Sequence, residues 1–80
     1  PSVLRAQNVT ETLVTNPIFQ HPLHEMGLTI RVFVINDGDP HIHSNPSGTI
    51  FINRGLLELC PTDDRLAVHI AHELAHLALE

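Results

Sequence analysis

The sequence has no lysine, no tryptophan and no tyrosine, and its basic residues are sparse. Its four cations are all arginines, and they are spread along the chain: Arg5, Arg31, Arg54 and Arg65. The formal net charge is −5 with histidine neutral. Because nucleic-acid binding depends on clustered cations that neutralise phosphates, this distribution argues against a nucleic-acid partner.

Cysteine and long apolar runs are also scarce. Cys60 is the only cysteine, so an internal disulfide is excluded, and a small buried apolar role is favoured for it. No apolar run approaches the roughly 20 residues that a membrane helix needs, and no signal peptide is visible. We therefore expect any membrane attachment to come from segments outside these residues.

The 80 residues are enough for one small domain, which would bury only about 60% of its extended surface. Charged residues make up only 16% of the chain, a low fraction that is typical of a piece packing against something else. We interpret residues 1–80 as a single, partial domain.

The hydrophobic patterns predict an α+β fold, with helices packed on a small sheet. A helix over 3–15 ends at Asn16-Pro17, and the Pro- and Gly-containing segment 17–27 is predicted to be a connecting loop. The β-branched run 28–36 predicts a strand buried on both faces. The later elements are a strand over 49–53, a short helix over 56–60 and a long helix over 62–80.

The long C-terminal helix carries an H-E-x-x-H motif, His72-Glu73-Leu74-Ala75-His76. Positions i and i+4 lie one turn apart on the same helix face, so the two imidazoles can bind one Zn²⁺ ion. Glu73, pointing to one side of that pair, can act as a general base without ligating the metal. Thr62 is the predicted N-cap of this helix, followed by acidic residues that suit the helix dipole.

With seven histidines in the chain, a chance match to this motif has a probability of roughly a few per cent. Two surface histidines flanking a glutamate would be the simple structural alternative. The capped helix and its apolar neighbours, Leu66, Ile70, Leu74 and Leu77, favour the metal interpretation.

The remaining histidines are weaker candidates. On a strand, His41 and His43 would share a face and could supply a substitute ligand, although a solvated loop pair is the favoured interpretation. His69 is expected to be packed or exposed to solvent, and His21 and His24 to be solvated in a loop.

The chain from Val34 to Leu79 resembles the membrane-associated gluzincin metallopeptidases, the family that includes the HtpX heat-shock protease, the CAAX prenyl endopeptidase and the mitochondrial overlapping-activity protease. Four consecutive segments carry the likeness: Val34-Ile35-Asn36-Asp37, Pro46-Ser47-Gly48, Thr49-Ile50-Phe51-Ile52-Asn53-Arg54-Gly55-Leu56-Leu57, and Asp64-Arg65-Leu66-Ala67-Val68-His69-Ile70-Ala71-His72-Glu73-Leu74-Ala75-His76. They are similar to the family's strand end, its Pro-Gly-Gly turn, its strand running into Gly-Leu-Leu, and its active-site helix.

The resemblance implies the N-terminal part of a zincin-like fold and a zinc metalloendopeptidase, a hydrolase that cleaves peptide bonds with a zinc-activated water. It implies that His72 and His76 bind Zn²⁺ and that Glu73 is the catalytic base. In the family, substrate pairs with an edge strand just before Pro-Gly-Gly, a position that His41-Ile42-His43 begins here. These three residues are the candidate substrate-binding residues, and they depart from the family's usual Asn-Ala-Phe.

The third metal ligand is the other departure, because gluzincins take it from a Glu on a later helix. Glu80 lies eight residues after His72, about 12 Å along the helix axis, too far for its carboxylate to reach the same metal easily. We therefore expect the missing ligand to come from further sequence or from a partner subunit.

Three functions are open at this point. One is a zinc metallopeptidase acting on peptides or proteins inside the cell, associated with a membrane such as the mitochondrial inner membrane. Another is a catalytically inactive, metallopeptidase-like structural subunit of a larger assembly. The third is a soluble binding module in which the motif is accidental.

Two protein ligands are one fewer than a catalytic zinc site usually has. We therefore predict that residues 1–80 alone bind zinc weakly and hydrolyse little. A peptide-cleavage assay with added Zn²⁺ measures this, and a competent protease made of these residues alone would refute it.

Overall fold

The computed structural model describes residues 2–79, which form four helices and three strands and confirm the predicted α+β class. In chain order the elements are α1 (Ser2–Val14), α2 (Pro17–Met26), β1 (Arg31–Ile35), β2 (Ile42–Ser44), β3 (Thr49–Asn53), α3 (Arg54–Leu59) and α4 (Asp63–Leu79). In the described part of the chain no helix has the length and apolar character needed to cross a membrane.

The segment 17–27, predicted to be a loop, is instead the helix α2, so that prediction is wrong. Asn16 caps it, because its side chain accepts a hydrogen bond of 3.0 Å from the backbone N–H of Ile18. Pro17 occupies the first turn, where no N–H is needed, and Gly27 ends the helix in the left-handed conformation with φ of 69°. Pro22 lies inside the helix, so proline content alone was a misleading signal of a loop.

The three strands form one mixed sheet in the order β1-β3-β2. β1 runs parallel to β3, with Phe33 opposite Phe51, and β2 runs antiparallel to β3, with His43 opposite the same Phe51. Both β1 and β2 are therefore edge strands. The sequence patterns alone did not predict β2, which has three residues and little apolar character.

β1 is buried on one face only, so the prediction of burial on both faces is wrong. Residues alternate along it between exposed and half-buried, and Phe33 is 51% exposed. Helices cover only the face that carries Ile50 and Ile52, both 0% exposed. The apolar run therefore forms a strand with one face covered by helices and the other exposed to solvent. The strand is also shorter than predicted.

The turn between β2 and β3 is held by a side chain and by a glycine. The Asn45 side-chain oxygen accepts hydrogen bonds from the backbone N–H groups of Ser47 and Thr49, both at 3.2 Å. Gly48 has φ of 99°, and a Cβ there would lie 2.7 Å from the carbonyl oxygen of Thr29. The turn thus requires glycine for conformation and for space.

Helix α4 begins as predicted and packs as the centre of the core. The Thr62 hydroxyl accepts a hydrogen bond of 3.3 Å from the backbone N–H of Arg65, the third helical residue, which confirms the N-cap. Leu66, Ile70 and Leu74 are each 0% exposed and form one buried stripe, or seam, along the helix. This seam sets how α4 is rotated against the sheet and the N-terminal helices.

Replacing a seam residue should unfold the domain far more readily than replacing an exposed leucine of the same helix. Leu74→Ala removes a fully buried side chain and should lower the free energy of unfolding by about 2–5 kcal/mol. Leu79→Ala, at a side chain 62% exposed, should change it by less than about 0.5 kcal/mol. Urea unfolding followed by circular dichroism compares them, and equal effects would contradict the proposed seam.

Candidate metal centre and general base

The two histidines of the motif lie on the solvent side of α4. Each residue turns about 100°, so His72 and His76 both point roughly 160° away from the seam residue Leu74. Both histidines are accordingly exposed, while the seam is buried. The imidazoles project from the exposed side of the helix, which also carries the apolar side chains of Val68 and Leu79.

The imidazole rings of His72 and His76 approach each other through their Nε2 atoms. The Nε2 atoms of His72 and His76 are 3.0 Å apart, and the ring planes meet at 88°. Two nitrogens bound tetrahedrally to zinc at about 2.0–2.1 Å would lie about 3.3–3.4 Å apart. The observed separation is that of a hydrogen bond between the rings, and an opening of a few tenths of an ångström would bring the two nitrogens to the spacing of zinc ligands.

Glu73 lies between the histidine face and the buried seam, about 100° around the helix from His72. It is partly buried, and its Oε1 accepts a hydrogen bond of 3.0 Å from the Ser44 hydroxyl. Among residues 2–79 no ion pair involves this carboxylate. The acid is therefore held in place by a neutral donor beside the face that carries the two histidines.

The histidines of β2 lie on the other face of the sheet. The His43 ring stacks on Phe51 with centroids 5.0 Å apart, and the His41 ring is 5.3 Å from that of His43. Since Ser44 contacts Glu73 on the helix-covered face, the neighbouring His43 projects to the open face. The structure thus brings Glu73, His72 and His76 together but places His41 and His43 elsewhere.

A third metal ligand is not found within the described chain. No group of three His, Cys, Asp or Glu side chains suited to a metal occurs among residues 2–79. Glu80, considered above as a ligand, lies outside the described residues. His69 is exposed one turn before the motif, as expected. His21 pairs with Glu25 at 2.7 Å on the surface of α2. Its side chain is solvated as expected, but it lies in a helix and not in a loop.

The free edge of β2 lies beside α4. Hydrogen bonds to β3 use the carbonyl of His41, which accepts from Asn53 N–H at 2.9 Å, and the N–H of Asn45, which donates to Thr49 at 3.0 Å. In an antiparallel pair every second residue forms backbone hydrogen bonds to the partner strand. Ile42 and Ser44 are the alternate residues, so their backbone N–H and C=O groups point away from β3, to the free edge. Of the three candidate substrate-binding residues, only Ile42 therefore offers its backbone at the open edge.

Ser44 is the residue that the sequence interpretation missed. Its strand is short, and its partner Glu73 is 29 positions away in the chain, so no local pattern joins them. The only available signal was its position two residues before Pro46, in the stretch similar to the family's edge strand.

Comparison with known proteins finds one family model and curated relatives that match this chain. The family model for peptidase family M48 matches residues 18–80, which include all of α2 except Pro17, the sheet, α3 and α4. The mitochondrial metalloendopeptidase OMA1 of Saccharomyces cerevisiae is 31% identical over 70 residues, covering 85% of this chain and 20% of that protein. OMA1 of Schizosaccharomyces pombe is 42% identical over 46 residues, covering 58% of this chain and 14% of that protein.

The chain thus spans a fifth or less of the length of these curated relatives. No solved structure gives a significant match. The family match covers well over half of the chain and contains the helix that carries His72, Glu73 and His76. The resemblance to the metallopeptidases described above is confirmed, and the chain belongs to peptidase family M48.

Proposed function

We propose that this chain is the part of a zinc-dependent metalloendopeptidase that carries two metal ligands and the general base. The observation that supports it best is the pair of Nε2 atoms 3.0 Å apart, with the Glu73 carboxylate on the adjoining side of the helix. In this proposal His72 and His76 hold Zn²⁺ through Nε2. Metallopeptidase is the activity of the family, and zinc is our assignment from the ligand type.

Zinc, when bound, would polarise the attacking water and the substrate carbonyl. The protein residues supply the proton transfers. Glu73 accepts a proton from the attacking water and delivers it to the nitrogen of the departing amine, so the peptide bond is replaced by a carboxylate and a free amine. In the structure the Glu73 carboxylate accepts a hydrogen bond from the neutral Ser44 hydroxyl.

Substrate is proposed to bind as an added strand on the free edge of β2. The outward backbone groups of Ile42 and Ser44 would pair with an extended peptide, and Ser44 contacts Glu73 directly. A peptide on this edge would therefore pass beside the base. The rings of His41 and His43 face away from it and would contribute to substrate binding only through their strand.

The alternatives raised by the sequence have less support. An accidental motif does not agree with a family match that runs through the whole motif helix. An inactive structural subunit is not favoured either, because Glu73 is intact and hydrogen-bonded beside the histidine pair. The third ligand is proposed to come from a later segment of the protein or from a partner subunit.

A mitochondrial location is also proposed, because both relatives named above are mitochondrial metalloendopeptidases. Association with the inner membrane would then depend on segments beyond the described residues.

Removing one of the two imidazoles should greatly weaken zinc affinity. In the full-length protein His76→Ala should weaken zinc affinity more than about 100-fold, since changing only an outer-shell partner already costs about 10–100-fold. His69→Ala is the matched control, because it removes an exposed histidine from the same helix. Competition with a chromophoric chelator measures both affinities, and zinc binding by His76→Ala equal to the control would contradict the assigned ligands.

Neutralising the base should stop hydrolysis without loss of metal. Glu73→Gln in the full-length protein keeps the side chain's shape but cannot accept a proton, so kcat/KM should fall at least about 100-fold. Zinc content should stay near that of the parent protein because Glu73 is not a ligand in this proposal. Cleavage of a fluorogenic peptide, with zinc measured by mass spectrometry, tests this, and retained cleavage would overturn the peptidase proposal.

A further inference from the structure

Ser44 is connected to the motif by one specific contact. Its hydroxyl donates to Oε1 of Glu73 at 3.0 Å, and both side chains are partly buried. The two residues belong to different elements, one on an edge strand and one on a helix. Such a contact is better shielded from water than a surface hydrogen bond, and a carboxylate acceptor makes it stronger than a neutral one.

The register of β2 against β3 directs the side chain of Ser44 and its backbone groups to two different places. It lies opposite Ile50 in the β2–β3 pair, so its side chain points to the helix-covered face. Its backbone, by the alternation of the ladder, points to the free edge. One residue therefore joins the edge that would hold a peptide to the acid that would act on it.

We infer that Ser44 is a positioning residue that fixes the orientation of the Glu73 carboxylate relative to the β2 edge. A glutamate side chain has three rotatable bonds. The helix backbone disfavours one χ1 rotamer, and packing and hydrogen bonds select among the rest. With Oε1 bound to Ser44, the second oxygen, Oε2, is the one left for proton transfer. This inference rests on the proposed peptidase function and adds a residue to it.

The geometry also predicts which substitutions matter. Alanine removes the donor and leaves the backbone edge unchanged. Threonine keeps the hydroxyl and suits a strand. Because Ser44 does not touch the histidine nitrogens in the contacts described, neither change should alter metal affinity.

The test uses the full-length, zinc-loaded protein and a fluorogenic peptide. Ser44→Ala should lower kcat by about tenfold, the effect of losing one hydrogen bond to a charged group, while KM changes less than about twofold. Ser44→Thr should restore kcat to within about threefold of the parent. Zinc affinity, measured by chelator competition, should match the parent for both variants.

Several results would overturn the inference. A parental kcat in Ser44→Ala would show that the contact does not position the base. A loss confined to KM or to zinc affinity would assign Ser44 a different role, and a threonine variant as slow as alanine would exclude the hydroxyl. Glu73→Gln, measured in parallel, separates the two proposals: if it is inactive while Ser44→Ala is not, only the positioning role fails.

Discussion

The packing of one helical seam determines where the chemistry of this domain lies. Leu66, Ile70 and Leu74 recur every four residues and are fully buried. Burying them leaves one rotation for α4, and at 100° per residue that rotation turns His72 and His76 to solvent. The same rotation puts Glu73 on the flank that meets β2. The hydrophobic effect thus orients polar groups that lie outside the buried seam.

This division explains why much of the candidate site could be predicted from the sequence. The motif, its cap at Thr62 and the seam are all set by spacings within one helix, and local spacing is visible in a sequence. The structure places the three motif residues as those spacings imply. The short helix after β3 is similarly local, although it begins earlier, at Arg54, than the pattern indicated.

The errors concern properties that depend on distant parts of the chain. Nothing within the run around Phe33 says that helices cover only one face of the sheet, and an apolar strand with one open face looks like a fully buried one. The segment 17–27 forms a helix despite its prolines because Asn16 caps it, Pro17 suits its first turn and Gly27 ends it. β2 forms because β3 offers an edge, a condition its own three residues do not reveal.

The contact between Ser44 and Glu73 is the clearest case of such non-local information, and it makes the two sides of the site interdependent. The position of β2 is set by its ladder with β3, and the position of α4 by its seam. The hydroxyl reaches the carboxylate only if both elements are correctly placed, so a shift of either one would move Glu73 relative to the free edge of β2. Hydrolysis requires the base, the metal and the scissile bond within a few tenths of an ångström of their working positions. Ser44 belongs to the proposed substrate strand and contacts the proposed base, so its one side chain would maintain that alignment.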